Sequence, residues 1–553
     1  MNYNIAQTLP DAAGRYPEKT GLICKTGRSY RSWTFREMDD TADWFAHRLT
    51  ERGVKRGDRV ILMVKPSLAF TAITFALFKI GAVIILIDPG MGYRNLLRCV
   101  GQVKPEVFIG IAKAQLFRRI FPRPFKTVRI SICIGNSFGI FRPALDEAGA
   151  ERSSSYGTPF PTAEMQADDL AAILFTTGST GPPKGVRYEH SIFLAQLQLI
   201  REYYRIGPDD IDQPAFPLFA LFSTGLGACS VIPEMDPAKP ARVDPSLFVK
   251  TINTFKVTYS FGSPAIWNVV SRYCHERDIK LPSVKKILMA GAPVPGDLLS
   301  RTVNILPDDA EIHTPYGATE SLPIASITAR EILADTWEKT RAGKGVCVGR
   351  PLPSITIRIV KISDEPITDW DTSLLLPDQE TGEIVVKGPV VTRAYENNDR
   401  ENHFAKIVDG DTFWHRMGDL GYFDAKGRLW FCGRKAHRVV TGTATLYTIC
   451  CEALFNEHPA VFRSALVGIG PLGEQEPVII VEPYDKSVKI EAIAASLRQI
   501  AEKHELTMTI KHFLVHPDFP VDIRHNAKIF REKLGKWASE RLSSKNNSKR
   551  EQQ

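Results

Sequence analysis

Residues 175–186 read FTTGSTGPPKGV, and the nature of the fold turns on what a loop with such small side chains is for. It follows the apolar run LAAILF, residues 170–175, which has the length and composition of a buried strand. Gly178, Gly181 and Gly185 let backbone N–H groups converge on a ligand without side-chain obstruction. Thr176, Thr177, Ser179 and Thr180 add hydroxyl donors, and Lys184 adds a positive charge. Such a set fits a chain of phosphates. It departs from the GxxxxGK[ST] nucleotide loop, because Pro183 stands where the second glycine belongs and Gly185 follows the lysine. Taken alone, the loop reads equally well as a flexible surface turn.

On the N-terminal side, Thr34 and Glu37 have capping-box spacing ahead of Phe35, Met38, Ala42, Phe45 and Leu49, with Gly53 placed to stop that helix. DRVILMV, from Asp58, then reads as a strand buried on both faces. Residues 69–90 repeat the rhythm. Their apolar run is broken by Lys79 and Gly81 and ends at Asp88-Pro89, which suits a buried helix and strand better than a membrane span. Alternation of helix and strand predicts a layered α/β fold.

After Pro351, strands with turn punctuation (SITIRIV, TGEIVVKGP, GRLWFCG) predict a β-rich subdomain packed on the α/β part. From Gly433 a new strand-helix pattern begins. The 553 residues are thus expected to form a large N-terminal domain (1–433), a small mobile C-terminal α+β domain (434–541) and a disordered tail (542–553). A net charge of +8 is modest for this length and carries no nucleic-acid signal. The nine cysteines form no CxxC pair, which fits reduced thiols in the cytoplasm, and no secretory signal opens the chain. FRRIFPRPF, residues 117–125, alternates basic and apolar groups; it reads first as a solvated loop or helix edge and leaves peripheral membrane contact open.

Downstream of the loop, AGAP (290–293), YGATE (316–320), HRMGDLG (415–421) and GRKAHR (433–438) follow in order. With the loop itself, these segments span nearly the whole chain and resemble the adenylate-forming enzymes: acyl-CoA synthetases, luciferases and amino-acid-adenylating domains. The resemblance implies ATP and Mg²⁺ as cofactors. It assigns Thr176, Thr177, Gly178, Ser179, Thr180, Gly181 and Lys184 to the triphosphate, and Gly291, Ala292 and Pro293 to the adenine side. Tyr316 would stack on adenine beside Gly317, Ala318 and Thr319, Glu320 and Thr177 would hold Mg²⁺, Asp419 would take the ribose hydroxyls, and Arg434 would support ribose or phosphate. Lys528 matches the mobile-domain lysine that meets the reacting carboxylate, although Ala527 replaces the usual glycine; Lys533 is its rival.

The chain departs from that pattern where a second substrate would enter. The hinge position is Ala436, Ala220 replaces the histidine often found after PLF, and VVTGTATLYTICCEALF carries a small insertion before Glu452. These features resemble the β-lactone synthetases of long-chain olefin biosynthesis. There a 2-alkyl-3-hydroxy fatty acid is adenylated and its own hydroxyl displaces AMP, with no need for coenzyme A. His525 and His437 are candidate bases for that closure, though they read first as surface histidines, and Phe216, Phe219, Phe222, Phe261 and Trp267 are candidates for an acyl pocket, with core packing explaining most of them equally well. Alternatives of the same resemblance are a long-chain fatty-acid–CoA ligase, which would use coenzyme A, and an inactive acyl-binding or carrier-loading homologue. Olefin-pathway enzymes, a thiolase-like condensing enzyme and a lactone decarboxylase, are the implied protein partners.

Overall fold

The computed structural model describes residues 2–137, 139–141, 144–146, 156–176, 182–216, 218–521 and 529–550. The predicted capping box is complete: the Glu37 amide donates to the Thr34 hydroxyl at 3.2 Å, and the Thr34 amide donates to the Glu37 carboxylate at 2.8 Å, fixing the start of the helix Phe35–Glu51. Helix Leu68–Ile80 is buried on every side and ends at Gly81, whose φ of 80° suits a residue without Cβ. The strand Val83–Leu86 follows at once. Among the described residues no helix is long and apolar enough to cross a membrane.

Two sheets carry the first 434 residues. A seven-stranded sheet runs Ala144–Leu145, Ile130–Ile134, Val107–Ile111, Arg59–Met63, Val83–Leu86, Leu170–Thr176 and Lys184–Glu189, all parallel except the last pair. At that edge the chain doubles back, with Thr176 opposite Lys184. The second sheet has fourteen strands. Its middle is parallel, and from the hairpin Glu311–Ala318 with Ser321–Thr328 outward it becomes antiparallel. The β-rich stretch expected after Pro351 is continuous with this sheet and forms its far end.

One connecting segment ties the sheets together. The Glu396 amide donates to Gly185 O at 2.7 Å and the Arg187 amide to Ala394 O at 3.1 Å, while the Thr392 amide reaches Glu320 O at 2.9 Å. Residues 392–396 therefore clasp the phosphate-loop strand on one side and the Glu320 hairpin on the other. Buried Glu396 strengthens the join by pairing with Arg59 at 2.7 Å.

Beyond the second sheet, Val461–Ile469, Glu476–Pro483 and His512–Val515 form a three-stranded sheet flanked by helices Thr448–Asn456, Ile490–Glu502 and Arg531–Arg550. It has its own apolar core, with Phe455, Leu466, Ile479 and Leu497 at its centre. The last helix runs from Arg531 to Arg550, with Leu542 packed in the cluster of Leu534, Ala538 and Val467.

Candidate active site

A cavity of about 600 Å³ opens where the two sheets meet, and its two ends differ in chemistry. Lys184, Tyr316, Glu320, Tyr395, Glu401 and Arg434 line one end; Phe216, Phe219, Phe222, Phe261 and Leu288 line the other.

The polar end is built by hairpins. Ala318 faces Ser321 across the hairpin, leaving Thr319 and Glu320 as its two turn residues and thrusting the Glu320 carboxylate into the cavity. Gly317 is required beneath them, since a Cβ there would lie 2.5 Å from Ser321 O. On the neighbouring hairpin Asp419 and Arg434 stand directly opposite, so their side chains share a face. Arg434 Nη1 lies 3.0 Å from Asp419 Oδ1, and the Tyr316 hydroxyl donates to Asp419 Oδ2 at 2.6 Å. Burial pushes the Asp419 carboxyl up while Arg434 pulls it down, and Asp419 in turn raises the guanidinium. Tyr316 lines the cavity, its hydroxyl held by Asp419 and its ring 6.1 Å from that of Phe431 between centroids.

Lys184 forms an ion pair with Glu401, and its ammonium lies 5.3 Å from the centroid of the Tyr395 ring. The Tyr395 hydroxyl donates to Glu320 Oε1 at 2.9 Å, so the lysine and the carboxylate meet through one aromatic residue. Beside them, desolvation drives the Lys406 amine down to about 7, against the pull of Glu320 and Glu189. His415 on the same wall is held neutral by burial and by the charges of Lys406 and Lys184. Glu320 is a hard oxygen donor whose carboxylate accepts from a neutral hydroxyl and, among the described residues, from no cation, which fits Mg²⁺. Among the described residues no cluster of three or more ligating side chains exists.

The remaining predicted residues divide clearly. Gly291, Gly317, Ala318 and Thr319 line the cavity, whereas Ala292 and Pro293 carry the turn away from its wall. Thr176 ends its strand opposite Lys184. Thr177, Gly178, Ser179, Thr180, Gly181, His525 and Lys528 lie outside the described residues. His437 is turned to Glu532 at 3.2 Å and is not part of the cavity wall, and Lys533 is exposed over the Phe530 ring. Trp267 is a core residue packed edge-on against Phe248 at 5.9 Å, not a pocket residue, because its helix turns it away from the cavity into the cluster around Ile252 and Leu281. The four phenylalanines do line the apolar end of the cavity, with Phe219 and Phe261 stacked at 3.6 Å.

Several wall residues carry no sequence signature. Tyr395 arrives on the clasping segment and Glu401 on the helix Asp399–Ala405 that follows it, and their only forewarning would have been the pairing of residues more than two hundred positions apart. Glu383 is also buried on this wall; Arg416 grips it with two bonds of 3.1 and 2.7 Å, and Lys435 approaches it at 3.1 Å while donating to Ser363 O at 2.8 Å.

Residues 9–396 match the family model described as AMP-binding enzyme. The chain is 43% identical over 554 residues to an olefin beta-lactone synthetase of Xanthomonas campestris pv. campestris, covering 97% of this chain and 98% of that protein. It is likewise 43% identical over 555 residues to an olefin beta-lactone synthetase of Stenotrophomonas maltophilia, covering 98% and 99%. Among solved structures, the amide bond synthetase McbA of Marinactinospora thermotolerans superposes with a TM-score of 0.77 at 20% identity over 97% of this chain and 99% of that one, which shows a shared fold. The Bacillus subtilis O-succinylbenzoate coenzyme A synthetase in complex with AMP gives 0.73 at 21% identity over 95% and 97%. The chain belongs to the AMP-binding, adenylate-forming enzyme family.

Proposed function

We infer that this enzyme activates a long-chain 2-alkyl-3-hydroxy fatty acid with ATP and closes the acyl adenylate to a β-lactone. The observation that carries this reading is the 43% identity, over nearly the full length of both chains, to proteins named for that product. The cavity suits it, with ion pairs at one end and stacked aromatic rings at the other.

Lys184 receives the triphosphate in exchange for Glu401, neutralising charge as the carboxylate attacks the α-phosphate. Asp419 and Arg434 receive the ribose, and Tyr316 supports the adenine. Glu320, with Thr177, would hold Mg²⁺, which supplies charge neutralisation between the phosphates. The loop residues Thr176, Ser179 and Thr180 add donors to the phosphates, and Lys528 brings its charge to the reacting carboxylate from a C-terminal lobe, residues 434–541, that turns about the segment at 434–436. In the first step the carboxylate oxygen bonds to the α-phosphorus and pyrophosphate leaves. In the second, the 3-hydroxyl oxygen bonds to the carbonyl carbon, the carbon–oxygen bond to AMP breaks, and the hydroxyl proton passes to the departing phosphate. The nucleophile is tethered, so alignment replaces capture of a second substrate.

Incubation with ATP, Mg²⁺ and a 2-alkyl-3-hydroxy acid, with and without coenzyme A, tests the reading. Pyrophosphate, AMP and lactone formed without coenzyme A are expected; a thioester formed only with it would overturn the second step. A peripheral lipid contact is supported by one face, where Tyr93, Leu116 and Ile120 are 54%, 51% and 60% exposed among the surface cations Arg94, Lys113, Arg119, Arg123 and Lys126. The cytoplasm and a companion condensing enzyme and lactone decarboxylase complete the proposed setting.

A further inference from the structure

The acyl end of the cavity is not uniformly apolar. Four polar atoms belonging to its wall residues have no hydrogen-bond partner among the described residues: Gln196 Oε1, the Tyr204 hydroxyl, Asp212 Oδ1 and Ser263 Oγ. A buried acceptor left unpaired costs about 1–3 kcal/mol, so each is a place where a polar ligand atom is favoured over a hydrocarbon.

Gln196 is distinguished from the other three by where it sits. It lies in the helix His190–Glu202 and is 3% exposed. Its Nε2 donates to Leu322 O at 2.9 Å, and since a carbonyl can only accept, this bond fixes which end of the amide is nitrogen. The oxygen is the end left over. Leu322 is two residues beyond Glu320, and the neighbouring Tyr188 hydroxyl donates to Thr319 O at 2.5 Å, so Gln196 is anchored to the hairpin that carries the catalytic carboxylate. Asp212, in contrast, lies on the strand paired with Tyr259, before Phe261 and deeper in the sheet; its second oxygen already accepts from Ser223 at 2.5 Å. Ser263 stands at the start of the helix Pro264–Glu276, and Tyr204 lies just beyond the end of the helix that carries Gln196.

We propose that Gln196 Oε1 accepts a hydrogen bond from the substrate's 3-hydroxyl, making this residue the selector of 3-hydroxy acids over plain branched fatty acids. The proposal rests on the β-lactone reading for the identity of that hydroxyl, and it concerns recognition before the adenylation step. A fixed acceptor beside the hairpin holds the hydroxyl near the carboxyl carbon it will attack. An acid lacking the hydroxyl leaves the acceptor unpaired and is discriminated against.

Pyrophosphate release by the full-length protein is measured with a 2-alkyl-3-hydroxy acid and with the same acid lacking the hydroxyl. For the unaltered enzyme kcat/KM is expected to favour the hydroxy acid. Gln196→Leu should lower kcat/KM for the hydroxy acid by about tenfold and leave the deoxy acid unchanged or improved, bringing the ratio toward one. Gln196→Glu keeps an oxygen acceptor but loses the donor to Leu322, so it should retain the preference even where overall rate falls. A purely structural role for the amide would lower both acids in proportion in both variants, and that result, or an unchanged ratio in Gln196→Leu, overturns the proposal. Pyrophosphate release without lactone would instead remove the ring-closure reading while leaving the ratio to report on Gln196.

Discussion

The two ends of the cavity are prepared in opposite ways. At the nucleotide end the charged groups already hold one another: Lys184 has Glu401, Asp419 has Arg434 and Tyr316, and Glu320 has Tyr395. At the acyl end, stacked rings stand beside polar atoms that have no partner among the described residues. The polar end is therefore internally braced, and on the proposed function binding there would be an exchange of partners. The acyl end is completed only by its ligand. Exchange tolerates variation in what is bound less by fit than by charge, whereas completion makes the organic substrate the source of specificity.

The strongest way to break this contrast is to remove the charge that the triphosphate exchanges for. Lys184→Ala is expected to lower kcat for pyrophosphate release by about 100-fold or more, as loss of a charge aimed at the transition state does. Asp419→Ala should act next most strongly, raising the KM for ATP by about tenfold, because hydrogen bonds to a charged group contribute about 1.5–3 kcal/mol and Arg434 is left alone. Isothermal titration with ATP separates this binding loss from a loss of rate.

Glu401→Gln sharpens the comparison by moving the other way. Its pair with Lys184 is partly exposed, at 28% and 35%, so it contributes about 0.2–1 kcal/mol, and removing the competitor should lower the KM for ATP by about twofold to fivefold. Lys406 predicts a pH effect of similar size. An amine lowered from its usual range is disfavoured in its charged form by the fold, so below about 7 it is protonated at a cost to stability. That cost fades as pH rises through about 7 and above, and Glu320 loses a neighbouring cation over the same range. The Mg²⁺ concentration for half-maximal activity should thus fall as pH rises through neutrality, and Lys406→Met should flatten that dependence. The smallest effect belongs to the outer face: Ile120→Asp should leave soluble-substrate turnover unchanged and reduce sedimentation with anionic vesicles.

Much of this was legible in residue order. Thr34 and Glu37 announced their helix because a cap is a local bargain between residues three apart, and Gly81 broke its apolar run because a left-handed φ suits a residue without Cβ. Tyr316, Glu320, Asp419 and Lys184 could be placed from family pattern and do converge. Trp267 misled because periodicity cannot say which of two apolar surfaces a helix faces. Tyr395, Glu401 and Gln196 were invisible because their roles arise from pairing between distant strands and from the direction of one amide, neither of which leaves a local trace.

The grip of Arg416 and Lys435 on Glu383 has a mechanical meaning for any swing of the C-terminal lobe. Lys435 is bolted to the larger body through two anchors, whereas Ala436 beside it has no side-chain group with which to be tied. Arg438, two residues further on, is tied to the same body through Asp364, so any turning would start beyond a stretch anchored on both sides of Ala436. Cutting one bolt, as in Lys435→Met, would leave the door on its post but slackened, and it would swing without a stop.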